Sequence, residues 1–142
     1  MKIITKSEQE TTDFAKKIAS LAKPGDIYAL KGDLGSGKTV FSKGFLRSFG
    51  VEKNITSPTF VIMKKYDLLN NSKVREILHI DCYRFNGPED ALSIGLDEYL
   101  QDDNIIMLIE WPEKIWSLVQ DRAKLIQFEY LEGDKREISY EI

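Results

Sequence analysis

The sequence has one cysteine, Cys82, and so no partner for an internal disulfide. That scarcity suits a reducing compartment rather than a disulfide-stapled secreted fold. Long hydrophobic runs are also missing. The longest uninterrupted apolar stretch, Ile105 to Ile109, has five residues, far short of the roughly 20 that a helix needs to cross a bilayer. The opening residues Met1-Lys2-Ile3-Ile4-Thr5-Lys6 lack an apolar segment of secretory type. Together these absences predict a cytoplasmic protein with no membrane span. Proline is sparse, with four residues scattered at 24, 58, 88 and 112, and no stretch reads as a linker, a repeat or a low-complexity tract.

What is present suits a globular chain. The 142 residues match the length of about one domain, so a single domain over residues 1–142 is expected. Apolar residues make up 42% and charged residues 30%, and the aromatics supply enough bulk for a packed core, which argues against global disorder. The net charge of −3 conceals an asymmetry. Residues 1–71 hold 12 Lys/Arg against 7 Asp/Glu, whereas residues 72–142 hold 8 against 16. A basic half suits contact with phosphates or an acidic partner, and equally an ordinary solvated surface.

The periodicities predict helices and strands in alternation. Ile3 and Ile4 suit a short strand. Residues 8–22 read as a helix, with Ser7 as N-cap, Glu10 completing a capping box, and Phe14, Ile18, Leu21 and Ala22 on one stripe. Ile27 to Leu30 suits a strand, and a helix is predicted over residues 38–49, where Phe41, Phe45 and Phe49 recur every fourth residue as core positions. Phe60 to Tyr66 and Val74 to Cys82 read as a hairpin, and Pro88 to Ile94 as a helix. Ile105 to Ile109 has the all-apolar character of a strand buried on both faces of a parallel sheet. Lys124 to Leu131 and Arg136 to Ile142 form a closing hairpin around Gly133-Asp134. This order predicts a three-layer α/β fold.

Gly32-Asp33-Leu34-Gly35-Ser36-Gly37-Lys38-Thr39 fits the phosphate-loop pattern G-x-x-x-x-G-K-[ST]. The glycines admit backbone conformations in which successive N–H groups point inward at phosphate oxygens. Lys38 can reach the outer phosphates, the Thr39 hydroxyl can bind Mg²⁺, and the following helix directs its positive end at the anion. On average residue usage, a chain of this length matches the pattern by chance about 0.5% of the time. The predicted strand before the loop and helix after it supply the context the motif requires.

A magnesium ion needs a second anchor at a neighbouring strand end. Asp81 and Glu110 each follow a hydrophobic run, and the run before Glu110 is the more apolar. Glu110 is therefore favoured as the metal-side carboxylate, directly or through water. Asp81 would orient or deprotonate the attacking water, or bind a metal-bound water. His79, the sole histidine, reads as a structural hydrogen-bonding residue. Thr59, in Ser57-Pro58-Thr59-Phe60, is placed to sense a γ-phosphate, and Trp111 suits a packed cap over the site or a partner contact. No N-K-x-D stretch is present to read guanine, and no L-S-G-G-Q stretch of the transporter type, so ATP is preferred to GTP. The five arginines form no lid cluster of the kind a small-molecule kinase uses.

The phosphate loop, S-P-T-F at 57–60, H-I-D-C-Y-R at 79–84 and I-E-W-P-E at 109–113, in that order and spacing, resemble the TsaE (YjeE) family. The resemblance covers nearly the whole chain. One departure is Ser36, where the family usually has alanine. The resemblance implies a phosphate-loop NTPase fold with a mostly parallel central sheet and antiparallel additions. It also implies ATP binding, weak Mg²⁺-dependent hydrolysis, and action on the TsaB–TsaD complex in making threonylcarbamoyladenosine in tRNA. By the same resemblance, residues 32–39 (Asp33, Leu34, Gly35, Ser36, Gly37, Lys38 and Thr39 among them) and the adjoining Val40 would hold the nucleotide. Thr39 and Glu110 would hold the metal. Lys38, Asp81, Glu110 and Thr59 would serve the reaction, and Thr11 and Arg136 would lie near the adenine.

Overall fold

The computed structural model describes residues 1–52, 55, 62–71 and 73–142. A seven-stranded sheet forms its middle layer, in the spatial order β1-β7-β6-β2-β5-β4-β3. The strands are β1 (Lys2–Thr5), β2 (Ile27–Lys31), β3 (Met63–Asp67), β4 (Glu76–Asp81), β5 (Ile105–Glu110), β6 (Ala123–Glu132) and β7 (Lys135–Tyr140). The central strands β6, β2, β5 and β4 run parallel. β3 joins one edge antiparallel, and β7 and β1 extend the other edge the same way. The expected mostly parallel sheet with antiparallel additions is therefore present, as are both hairpins.

The helices are α1 (Glu8–Leu21), α2 (Lys38–Ser48), α3 (Pro88–Ser93), α4 (Leu96–Leu100) and α5 (Trp116–Val119), with a 3₁₀ turn over Pro112–Ile115. Alternation along the strands sorts the core into two layers. Tyr28, Leu30, Ile106 and Leu108 point to one face, where they meet Phe14 and Ile18 of α1 and Phe41 and Phe45 of α2. Ile27, Ile105, Met107 and Ile109 point to the other, against Ala91, Leu96, Ile115 and Val119. A strand buried on both faces can be apolar at every position. That is why β5 reads as a continuous run and no period-2 pattern shows in it.

Local signals placed most boundaries within a residue or two. Ser7 Oγ accepts from the Glu10 amide at 3.1 Å, as a capping box requires. The return bond differs, since Glu10 Oε2 accepts from the Lys6 amide, one residue before the cap, at 2.7 Å. α2 ends at Ser48, and Gly50, with φ 84°, follows it. Among the described residues β3 begins at Met63, and Ile62, within the expected strand, takes a left-handed φ of 66° that breaks an extended run. Phe60 itself lies outside the described residues. Cys82, just past β4, is fully buried, and burial pushes its thiol up to about 12. Among the described residues no helix is long and apolar enough to cross a membrane.

Candidate functional site

The loop between β2 and α2 sits at the carboxyl end of the parallel sheet, where open α/β sheets place their ligands. A Cβ at Gly32 would stand 2.5 Å from Ser36 Oγ and 2.7 Å from the Phe128 carbonyl oxygen. Only glycine therefore lets the loop press against β6 there. Gly37 caps α2 with φ 108°, a conformation that L side chains rarely adopt. The first bond back along α2 runs from the Phe41 amide to Gly37 O, at 3.0 Å. The amides of Lys38, Thr39 and Val40 lie ahead of it, where a helix supplies no acceptor of its own. Those amides and the helix dipole make the loop an anion-accepting cradle. Ser36 fits within it, but its Oγ is buried and has no partner among the described residues.

Strand register delivers the carboxylates. Glu110 pairs with Leu30 of β2 on one side and with Asp81 of β4 on the other. Three neighbouring strand ends thus bring the loop and both acids together, and both side chains are buried. Each acid is fixed by a donor. Asp81 Oδ1 accepts from the Tyr83 amide at 2.8 Å. Glu110 Oε2 lies 3.0 Å from His79 Nε2, and because a carboxylate can only accept, the imidazole donates. His79 pairs with Leu108 in the sheet, so it shares a face with Glu110 two residues on. The structural reading of His79 holds, and what it supports is the candidate metal-side acid.

Lys38 is buried at 5% exposure. Its ammonium donates to the Gly32 carbonyl and lies 4.0 Å over the Trp111 ring. Burial pushes the ammonium below the ordinary lysine value, while Glu110, Asp81, Glu113 and Asp33 pull it back up. Trp111 follows Glu110 with a left-handed φ of 56°, and its ring packs on Tyr83 at 4.9 Å. That strained backbone turns the indole over the loop lysine, which is the packed-cap alternative of the two read from sequence.

These elements enclose a cavity of about 360 Å³. Thr11, Leu34, Gly35, Ser36, Gly37, Lys38, Thr39, Val40, Asp81, Glu110 and Arg136 all line it. Asp33 does not; its carbonyl closes a turn by accepting from the Ser36 amide at 3.1 Å. Thr59 lies outside the described residues. Thr11 is buried, and its hydroxyl is engaged with that of Thr5 at 2.8 Å. Glu8 and Asp134 also line the cavity, and sequence reasoning did not find them. An acid at a helix start and an acid in a hairpin turn are both commonplace. Only the long-range pairing of β1 and β6 with β7 carries the two to the same rim.

A glycine loop between a central parallel strand and a helix, facing paired acids on the next strand ends, defines a three-layer α/β protein of the phosphate-loop class. Comparison with known proteins makes this particular. The family model described as "Threonylcarbamoyl adenosine biosynthesis protein TsaE" matches residues 5–138, and the chain belongs to the TsaE family. It is 39% identical to the tRNA threonylcarbamoyladenosine biosynthesis protein TsaE of Bacillus subtilis, over 96% of this chain and 82% of that one. It is 38% identical to the TsaE protein of Borreliella burgdorferi, over 87% of each. The crystal structure of Bacillus subtilis YdiB superposes with a TM-score of 0.74 at 34% identity, covering 99% of this chain and 83% of that one.

Proposed function

We propose that the chain is a Mg²⁺-dependent, weakly hydrolysing ATPase that serves tRNA threonylcarbamoyladenosine formation in the cytoplasm by acting on the TsaB–TsaD complex. The observation that carries this reading is the convergence of the glycine cradle, Lys38 and the paired acids Asp81 and Glu110 on one cavity. The residues present suit a nucleotide phosphate. Gly32 lets the loop press against β6, Gly37 takes the left-handed φ that opens α2, and Lys38 is a buried cation within the cradle. Among the described residues, no group of three or more His, Cys, Asp and Glu side chains could hold a metal alone. A magnesium ion here would rest on Thr39, Glu110 and phosphate oxygens, the sparse protein ligation this ion usually takes.

When bound, the ion would neutralise charge on the phosphate oxygens. The chain's own residues supply the rest. Lys38 exchanges its contact with the Gly32 carbonyl for the phosphate. Asp81, fixed by the Tyr83 amide, accepts a hydrogen bond from water and orients it. His79 holds the Glu110 carboxylate in one rotamer. The cavity volume of about 360 Å³ suits one small ligand.

Reconstitution tests this function. Purified TsaB and TsaD supplied with tRNA, ATP and the threonylcarbamoyl precursor should give modified tRNA in quantity only when this protein is added. Equal yield without it would sink the proposal. A finer prediction concerns His79. Replacing it by alanine should weaken Mg²⁺ activation of hydrolysis about tenfold, since partners behind a ligand typically matter on that scale. ATP affinity measured without metal should stay unchanged. Magnesium titration of His79→Ala and the parent checks this, and identical half-saturation would show that Glu110 needs no such support.

A further inference from the structure

Arg136 on β7 reaches across to the phosphate loop with both its stem and its head. Its guanidinium donates to the Gly35 carbonyl at 3.0 Å, and also to the carbonyls of Gly133 at 2.9 Å and Lys135 at 3.1 Å. The stem runs past Gly37, where a Cβ would stand 3.7 Å from Arg136 Cγ. The cation lies 4.7 Å over the Tyr130 ring, which holds the planar group from the hairpin side. The Gly35–Ser36 peptide is consequently fixed at both polar atoms. Arg136 takes its carbonyl, and the Asp33 carbonyl takes its N–H at 3.1 Å. The terminal guanidinium nitrogens are spent on backbone carbonyls of the loop and the hairpin, while the buried Nε has no partner among the described residues.

We propose that Arg136 is a positioning residue that clamps the phosphate loop, through the Gly35 carbonyl, in the conformation that accepts a polyphosphate. This rests on the nucleotide-binding reading above and replaces a contact to the adenine with a contact to the loop. The clamp acts by preorganisation. A loop already ordered in its binding shape gives up less freedom when the anion arrives. It also makes the C-terminal hairpin part of the phosphate site, although no residue of that hairpin belongs to the glycine motif.

The two roles separate with a ligand that has no base. Binding of inorganic tripolyphosphate and of ATP should be measured by calorimetry for the parent, Arg136→Ala and Arg136→Lys, each checked for folding by circular dichroism. Both ligands should bind about tenfold more weakly to Arg136→Ala, by the same factor, as expected for loss of one charge-assisted hydrogen bond. Arg136→Lys keeps the charge and most of the stem but lacks the fork, so it should show the same loss. Amide exchange at residues 33–37 should accelerate in both variants. A loss confined to ATP would overturn the clamp in favour of a base contact. Restoration by lysine would overturn it in favour of charge alone, and unchanged affinity would overturn it outright. A parent chain that binds neither ligand would instead remove the nucleotide reading, while loop exchange would still report on the clamp directly.

Discussion

Glu110→Gln should slow Mg²⁺-dependent ATP hydrolysis by about 10²-fold or more while leaving ATP bound, the scale on which catalytic acid–base and metal-side groups act. The change is nearly isosteric. The glutamine carbonyl can still accept from His79 Nε2, so the 3.0 Å contact and the buried sheet around it survive. What is lost is the negative charge at the strand end beside Asp81. Single-turnover hydrolysis and thermal unfolding should be run on the same preparation. If the variant melts early and its folded fraction hydrolyses ATP normally, Glu110 is a structural residue.

Lys38→Ala should weaken ATP binding by about 10- to 100-fold, equivalent to the roughly 1.5–3 kcal/mol of a hydrogen bond to a charged group. The side chain is the buried cation of the cradle, held between the Gly32 carbonyl and the Trp111 ring. Its burial already disfavours the charged form, so an arriving phosphate meets an ammonium that is poorly compensated by solvent. Stability should fall much less than affinity, because removing the ammonium also removes that desolvation cost. Calorimetric titration with ATP checks this, and unchanged affinity would place the nucleotide elsewhere.

Much of the architecture was legible because its signals were local. The Ser7–Glu10 pair marked the start of α1, the apolar run marked β5, and Gly133-Asp134 marked the last hairpin. The site was legible as far as a single segment could carry it, which is the loop itself and the acids that end two strands. Their adjacency was not. It depends on β5 inserting between β2 and β4, an order that no periodicity encodes. The His79–Glu110 bond and the reach of Arg136 to Gly35 span 31 and 101 residues. Contacts of that separation are products of the completed sheet. At Ile62, inside the expected strand, a left-handed φ overrode a favourable strand composition.

The one cysteine has a practical consequence. Cys82 is fully buried with its thiol pushed up to about 12, so the reactive thiolate is scarce and shielded at neutral pH. The folded surface is thus blank to maleimide chemistry without any change to the native sequence. A cysteine introduced at an open position such as Leu69, 92% exposed and remote from the phosphate loop, becomes a unique attachment point. A dye or spin label placed there would test the proposed assembly with TsaB and TsaD while every residue of the site stays native.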